Sequence, residues 1–175
     1  MDQIKIFDTF LNTEELKKCI EYINEPNWQF GHVSDSTSGQ FQIFFWVMRL
    51  THYPFFSVYL KDKIQKLTGK IFTVDQVYAN GQTYSQNGSF HTDSDHKNIY
   101  TFCLYLTTNP NEFGGDLEFK LNNLPHIIKV ETKYNRGIFF PSTFWHKGNS
   151  LLSTNDLRIC IAWKFHLAQF LHIKN

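Results

Sequence analysis

Several features are scarce in this sequence of 175 residues, and each scarcity excludes a class of protein. The three cysteines, Cys19, Cys103 and Cys160, are isolated in apolar stretches, so neither a disulfide framework nor a cysteine-based zinc knuckle is expected. Lys and Arg number 17 against 16 Asp and Glu, so no net charge favours nucleic acid or an anionic membrane as a partner. No apolar run is long enough to cross a bilayer.

The sequence also shows no targeting signal and no boundary between domains. The first residues show no cationic segment followed by an apolar core, so no secretory signal is visible and a cytoplasmic protein is expected. No repeat, low-complexity tract or linker interrupts the chain. We therefore expect residues 1–175 to form a single domain, although the sequence leaves its oligomeric state open.

What the sequence has in abundance is apolar and aromatic residues. Hydrophobic residues make up 42% of the chain and 18 residues are Phe, which suits packed β-faces and argues against disorder. A first helix is predicted over Asn12–Glu25, with Asn12 as its cap and Pro26 as its stop. A second helix is predicted over Phe55–Leu67, ending at Gly69.

The remainder of the chain alternates short apolar runs with turn residues such as Asn80-Gly81, which is typical of an antiparallel sandwich or barrel. The predicted strands are Phe41–Leu50, Ile71–Tyr78, Ile99–Leu106, Asp116–Phe119, His126–Glu131, Gly137–Phe140 and Leu157–Phe165. The expected fold is α+β and mainly β, a jelly roll over about residues 71–166, buttressed by helices within about residues 1–70.

A candidate metal site begins at His91 and Asp93. Residues two apart on an extended segment point the same way, so this imidazole and this carboxylate converge on one point. A third ligand has to come from elsewhere, and His146 follows an apolar strand and a Pro-Ser turn that can return it beside His91. Two imidazoles and one carboxylate form the facial triad that suits iron(II) and leaves positions open for a 2-oxo acid and dioxygen.

A second signal concerns the binding of a carboxylate. Arg158 lies at the start of the apolar strand predicted over Leu157–Phe165, where an inward-facing charge needs an anionic partner. Tyr84, shortly before His91, is a second candidate donor to the same anion. Alternatively, Arg158 faces solvent at a strand edge.

These residues occur in an order that resembles a known family. The run Tyr84 to Asp93 is followed by Gly114 to Phe119, by Gly137 to Pro141, and then by His146 and Arg158. Together they resemble the prolyl 4-hydroxylase-like group of 2-oxoglutarate- and iron(II)-dependent dioxygenases, over roughly residues 71–165. The resemblance implies a double-stranded β-helix, a form of jelly roll, in which Gly114 and Gly115 form a tight turn beside the site.

The resemblance also implies the site and its cofactors. It makes His91, Asp93 and His146 the iron ligands, and Arg158, assisted by Tyr84, the partner of the distal carboxylate of 2-oxoglutarate. Ascorbate is a candidate reductant. Collagen-type relatives use Lys where this chain has Arg, and the interval from His146 to Arg158 is slightly long. Three reserve candidates therefore stay open, namely Lys147 or Lys164 for Arg158 and Tyr78 for Tyr84.

The implied reaction is hydroxylation of a substrate C–H bond, coupled to oxidative decarboxylation of 2-oxoglutarate to succinate. A prolyl residue in a peptide or protein is the first expectation for the substrate. A free amino acid or other small molecule is the alternative, and a demethylase of nucleic acid is disfavoured by the lack of a basic groove. Two further alternatives are a jelly-roll binding module without activity and a zinc site built from the same three ligands.

Overall fold

The computed structural model describes residues 3–34, 42–107, 114–121, 124–152 and 155–168. Three helical segments are present in this part of the chain: α1 (Thr13–Ile23), a π-helical segment (Phe55–Leu60) and α2 (Lys61–Thr68). Its strands are β1 (Lys5–Phe7), β2 (Gln29–His32), β3 (Phe45–Arg49), β4 (Phe72–Gln82), β5 (Ile99–Tyr105), β6 (Leu117–Lys120), β7 (Ile128–Val130), β8 (Arg136–Pro141), β9 (Trp145–Gly148) and β10 (Arg158–Leu167).

Both predicted helices form, with the caps expected from the sequence. Asn12 and Glu15 make a reciprocal capping box at the start of α1, and the helix ends at Ile23 with Asn24 as its C-cap. The second helix begins as the π-helical segment and continues as α2, which ends where Gly69 adopts a left-handed conformation (φ 68°). Among the described residues, no helix is long and apolar enough to cross a membrane.

The strands form two sheets that face one another. The major sheet has seven strands in the order β1-β8-β5-β10-β4-β3-β2, and the minor sheet has three in the order β7-β6-β9. All the pairings between named strands are antiparallel. This arrangement confirms the expected jelly roll, which is mainly β. Its helices come from the N-terminal part of the chain, within residues 13–68.

Each face of the major sheet has its own apolar core. On one face, strand residues such as Phe102 and Trp163 pack against the helices in the larger core. The indole of Trp163 donates to the carbonyl of Phe56 (3.0 Å), which anchors the π-helical segment on β10. On the other face, residues such as Tyr105 and Phe140 pack against the minor sheet in a smaller core. The candidate site lies at this second face.

Each of the seven predicted strands forms, in the predicted order, but several of their bounds were wrong. No turn occurs at Asn80-Gly81, because β4 continues through both residues to Gln82 and pairs there with β10. The strand predicted over Phe41–Leu50 is shorter, namely β3, and Phe41 lies outside the described residues. The short strands β1, β2 and β9 were not predicted, since three or four residues are too few to show a period.

Candidate functional site

The structure brings the three predicted metal ligands together at one edge of the minor sheet. His91 and His146 form an isolated antiparallel bridge, in which each backbone N–H donates to the other carbonyl at 3.0 and 2.9 Å. The backbone N–H of Asp93 donates to the carbonyl of Ser142 at 2.9 Å. The extended segment of His91 and Asp93 is therefore fixed in register against the turn before β9, as a convergent site requires.

The ligand atoms of the trio face a common point. Nε2 of His91 lies 3.5 Å from Oδ1 of Asp93, and Nε2 of His146 lies 3.5 Å from Oδ2. One donor atom from each residue can be chosen such that all lie within 4.8 Å of one another. The side chains of Asp93 and His146 are only 7% and 6% exposed, so a bound cation would be largely shielded from water. This donor set and geometry fit a single divalent metal ion.

Hydrogen bonding orients both imidazoles for this task. Nδ1 of His91 lies 2.9 Å from the carbonyl of Ser89, and Nδ1 of His146 lies 2.8 Å from the carbonyl of Phe144. A carbonyl can only accept, so each Nδ1 carries the proton and each Nε2 keeps its lone pair for a metal. Burial lowers the pKa of His146 to about 4, so this ring is neutral at physiological pH.

Asp93 is held as a carboxylate by two neighbours on the major sheet. Thr101 donates to its Oδ2 at 2.5 Å, and the ammonium of Lys164 forms an ion pair with the same oxygen. Burial alone would raise the pKa of Asp93, but the charge of Lys164 outweighs it and holds this pKa well below its usual range. Burial likewise opposes the charge of Lys164, but Asp93 outweighs it and raises the pKa of Lys164.

Between the two sheets, a cavity of about 140 Å³ connects the metal ligands to Arg158. Its walls come from alternate residues of three neighbouring strands, as the period of a β-strand dictates. These are Tyr78, Asn80 and Gln82 of β4, Cys103 and Tyr105 of β5, and Arg158, Cys160, Ala162 and Lys164 of β10. His32, Val33, Ser34 and Phe45 add a wall from the β2–β3 side.

Arg158 is 3% exposed and lies inside this cavity, not at a solvent-facing strand edge. Its Nε donates to the carbonyl of Gly115 at 2.9 Å, and its Nη1 donates to Oε1 of Gln82 at 2.5 Å. Its guanidinium carbon lies 5.0 Å from the centre of the Tyr105 ring. These neighbours are neutral, so the charge of Arg158 has no anion among them and suits an incoming carboxylate.

Tyr105 supplies a second donor to the same region. It is 1% exposed, and its hydroxyl finds no hydrogen-bond partner in the described part of the protein. The side-chain oxygen of Asn80, which also lines the cavity, is likewise buried and has no hydrogen-bond partner within the described ranges. Buried polar atoms without partners are rare, so both atoms point to a polar ligand in this cavity. A dicarboxylate anchored on Arg158 would supply the acceptor that the Tyr105 hydroxyl lacks, whereas Oδ1 of Asn80 requires a donor.

The remaining sequence candidates are placed as follows. Tyr84 follows the end of β4, is 49% exposed and is not among the residues that line the cavity. Its reserve, Tyr78, does line the cavity. Nζ of Lys147 forms an ion pair with Oε2 of Glu118 at 3.3 Å, whereas Lys164 forms an ion pair with Asp93. The structure therefore brings Arg158 and the metal trio to one cavity and leaves Tyr84 outside it.

Sequence reasoning missed Tyr105, Asn80 and Gln82, although a signal for them existed. Once Arg158 is taken as inward-facing, every second residue of its strand faces the same cavity. The register pairs Cys160 with Tyr105 on one side and with Asn80 on the other. That pairing is not readable from the sequence, so the period alone could only suggest which residues of each strand to consider.

Comparisons with known proteins agree with this geometry. A model of the 2OG-Fe(II) oxygenase superfamily matches residues 76–166, which include the metal trio and Arg158. Among curated proteins, none matches the sequence significantly.

Solved structures of similar fold include several oxygenases. An oxidoreductase of the 2OG-Fe(II) oxygenase family from Burkholderia pseudomallei has a TM-score of 0.75 at 12% identity, covering 94% of this chain and 85% of that one. A prolyl hydroxylase from Trichoplax adhaerens, in complex with a peptide fragment of the hypoxia-inducible-factor oxygen degradation domain, has a TM-score of 0.70 at 15% identity, covering 95% and 84%. The non-heme alpha-ketoglutarate-dependent epimerase SnoN from nogalamycin biosynthesis has a TM-score of 0.66 at 10% identity, covering 95% and 78%. At these identities the likeness establishes the fold alone.

Proposed function

This chain belongs to the 2OG-Fe(II) oxygenase superfamily, and from that premise we propose that it hydroxylates a C–H bond of a peptide or protein, with a prolyl residue as the first candidate. The observation that carries the proposal is the single cavity that joins His91, Asp93 and His146 to the buried Arg158. A metal site alone would suit many reactions. A metal site beside a buried guanidinium suits a metal-bound 2-oxo acid with a distal carboxylate.

In this proposal the metal trio would hold iron(II). The two Nε2 atoms and the Asp93 carboxylate supply three ligands, and the hydrogen bonds at each Nδ1 keep the rings in the orientation that a metal needs. When bound, iron(II) would let dioxygen act as the oxidant, with 2-oxoglutarate giving two electrons as it is decarboxylated to succinate and the substrate C–H bond giving the other two. The protein's part is to hold these groups, exclude water and admit the substrate.

Arg158 and Tyr105 would bind the distal carboxylate of 2-oxoglutarate. The guanidinium supplies charge and directed N–H groups, and the Tyr105 hydroxyl supplies one O–H donor. Gln82 and the carbonyl of Gly115 hold the guanidinium in place through Nη1 and Nε. In this proposal Tyr84 does not bind the distal carboxylate, because its side chain is half exposed.

The size of the cavity favours a substrate that reaches in from outside. Sites that enclose a drug-sized ligand usually measure about 300–1,000 Å³. The cavity measures about 140 Å³, so a bound co-substrate would leave little room for a second enclosed molecule. A side chain that extends from a polypeptide needs only the mouth of the cavity. The Trichoplax adhaerens prolyl hydroxylase, whose structure contains a peptide, provides a precedent in this fold.

A small-molecule substrate is the second candidate. SnoN, an epimerase of nogalamycin biosynthesis, has the same fold, so the fold by itself does not limit the substrate to polypeptides. Free amino acids should therefore be assayed beside peptides.

The first experiment tests the metal and the co-substrate together. Purified protein is loaded with iron(II) without oxygen, 2-oxoglutarate is added, and the visible absorption spectrum is recorded. We expect a weak metal-to-ligand charge-transfer band that is lost in His91→Ala and His146→Ala. An iron-loaded, folded protein that shows no band would contradict bidentate binding of 2-oxoglutarate.

The second experiment tests the substrate class. Proline-containing peptides and free amino acids are incubated with iron(II), 2-oxoglutarate, ascorbate and oxygen, and succinate release is followed with the mass of each candidate. We expect a peptide that gains the mass of one oxygen, in step with succinate, and no gain with His146→Ala. Hydroxylation of free amino acids without any peptide product would select the second candidate instead.

A further inference from the structure

A buried lysine, Lys164, contacts the candidate metal ligand Asp93, and the binding of a 2-oxo acid does not explain it. Lys164 lies on the cavity-facing side of β10, six residues after Arg158, and its side chain is only 13% exposed. Its ammonium forms an ion pair with Oδ2 of Asp93 and lies 3.5 Å from Oγ1 of Thr101. A buried lysine is costly unless it is paired, so the Asp93 carboxylate is the feature that keeps Lys164 inside the protein.

The contacts of Asp93 divide its two oxygens between different tasks. Each oxygen lies 3.5 Å from the Nε2 of one histidine, Oδ1 from that of His91 and Oδ2 from that of His146, but Thr101 and Lys164 both approach Oδ2. A carboxylate whose Oδ2 already has these two donors offers mainly Oδ1 to a metal. Asp93 would therefore bind a cation through one oxygen, as a facial site with three protein ligands requires.

The charges of the site indicate a second effect of Lys164. Each Nδ1 of His91 and His146 faces a carbonyl and carries the proton, so in the metal-binding form, with each Nε2 offering its lone pair, the trio carries one negative charge, that of Asp93. Lys164 already balances this charge without any metal. A divalent ion that enters must approach a fixed positive charge a few ångströms away, in a buried site where screening is weak.

We propose that Lys164 is a resident counter-cation of the metal site: it keeps Asp93 buried and oriented when no metal is bound, and it weakens metal binding in return. Lys164 is thus a positioning residue that acts through Asp93 and needs no contact with substrate. The inference rests on the proposed metal site. It predicts that removing the charge makes the metal-free protein less stable and the metal complex tighter.

The test uses Mn(II) alone as the probe, on full-length protein freed of metal by chelation. Lys164→Met removes the charge, and Lys164→Gln removes it but keeps a hydrogen-bond donor for Asp93. Lys147→Met is the matched control, because Lys147 follows His146 directly but pairs with Glu118. Thermal unfolding gives the stability of each metal-free protein. Isothermal titration and the electron paramagnetic resonance of free Mn(II) give the dissociation constants.

We expect metal-free Lys164→Met to unfold at least about 5 °C below wild type, because Asp93 is left buried without its partner. We expect Lys164→Met and Lys164→Gln to bind Mn(II) roughly tenfold more tightly or better than wild type. Mn(II) should then raise their unfolding temperatures more than it raises that of wild type. Lys147→Met should stay within about twofold of the wild-type dissociation constant.

The possible contrary results are distinct. Equal or weaker Mn(II) binding in both Lys164 variants overturns the counter-cation role while leaving the metal site intact. Tighter binding in Lys164→Met but not in Lys164→Gln assigns the effect to hydrogen bonding and also overturns it. If wild type and His91→Ala both fail to bind Mn(II), and the Lys164 variants fail too, the metal site itself is wrong and this inference falls with it.

Discussion

At the scale of single residues, the cavity combines buried charges with buried polar atoms that have no hydrogen-bond partner among the described residues. Arg158 keeps its charge inside the protein because Gln82, the carbonyl of Gly115 and the ring of Tyr105 surround it. The Tyr105 hydroxyl, in contrast, is buried and has no hydrogen-bond partner among the described residues. Such a group destabilises the free protein slightly and strengthens the binding of a ligand that supplies the missing acceptor.

Tyr105→Phe should therefore separate co-substrate binding from folding. Loss of one hydrogen bond to a carboxylate is expected to raise the KM for 2-oxoglutarate by roughly tenfold or more. The thermal stability of the free protein should stay equal or rise slightly, because an unsatisfied buried hydroxyl is removed. Steady-state succinate assays and thermal unfolding measure the two effects.

Tyr84→Phe is the matched control for that prediction. Its side chain is half exposed, so the KM for 2-oxoglutarate should change less than about twofold. An increase in KM with Tyr84→Phe and none with Tyr105→Phe would return the role to Tyr84.

At the scale of elements, the turn before β6 holds the guanidinium of Arg158. Both Gly114 and Gly115 have positive φ angles, 93° and 76°. The carbonyl of Gly115 accepts from Arg158, and its N–H donates to the carbonyl of Ser150 at 2.9 Å. A Cβ at residue 115 would lie 2.9 Å from Cδ2 of Leu151, so the close approach of this turn requires glycine.

Gly115→Ala is expected to destabilise the protein by about 2–4 kcal/mol, from the strained φ and the clash together. The displaced carbonyl should also loosen Arg158 and raise the KM for 2-oxoglutarate. Gly69→Ala is the control, because residue 69 has a similar φ of 68° but no atom within 4 Å of an added Cβ. It should cost only about 1 kcal/mol and leave KM unchanged. Urea denaturation compares the two, and equal costs would contradict the steric argument.

At the scale of the whole molecule, polar contacts of one buried carboxylate tie α1 to the segment that supports the major sheet. Glu15 of α1 accepts from the backbone N–H of Asn12 at 2.8 Å and from the hydroxyl of Tyr59 at 2.9 Å, and it pairs with Lys63 of α2. Burial alone would raise the pKa of Glu15, but the hydrogen bonds from Lys63, Asn12 and Tyr59 outweigh it and lower this pKa.

The lowered pKa of Glu15 predicts a pH dependence of folding. The stabilisation is complete above the ordinary carboxyl pKa of 4.5 and is lost as the pH falls through the lower value of the folded state. Glu15→Gln should be less stable than wild type by about 1–2 kcal/mol at pH 7, and the difference should shrink below pH 4.5. Denaturation at several pH values measures it, with the exposed Glu21→Gln as control. A difference independent of pH would show that the charge of Glu15 is not the cause.

Features that depend on nearby residues could be predicted from the sequence. The capping box at Asn12 and the left-handed stop at Gly69 were predicted because each depends on residues within a few positions. The pairing of His91 with Asp93 was likewise predicted from the period of an extended chain. The order of motifs along the chain was enough to identify the 2OG-Fe(II) oxygenase superfamily, which the match over residues 76–166 confirms.

Which side chains share the cavity depends on how the strands pair in the tertiary structure. Asn80, Tyr105 and Cys160 meet because β4, β10 and β5 are neighbours in one register, and a shift by one residue would turn every side chain to the opposite face. Distant strands set that register through the packing of both cores, so no local pattern separates Tyr105 from Tyr84 or assigns Lys164 to Asp93. Those choices depend on contacts between residues many positions apart, which exist only after the sheets have packed.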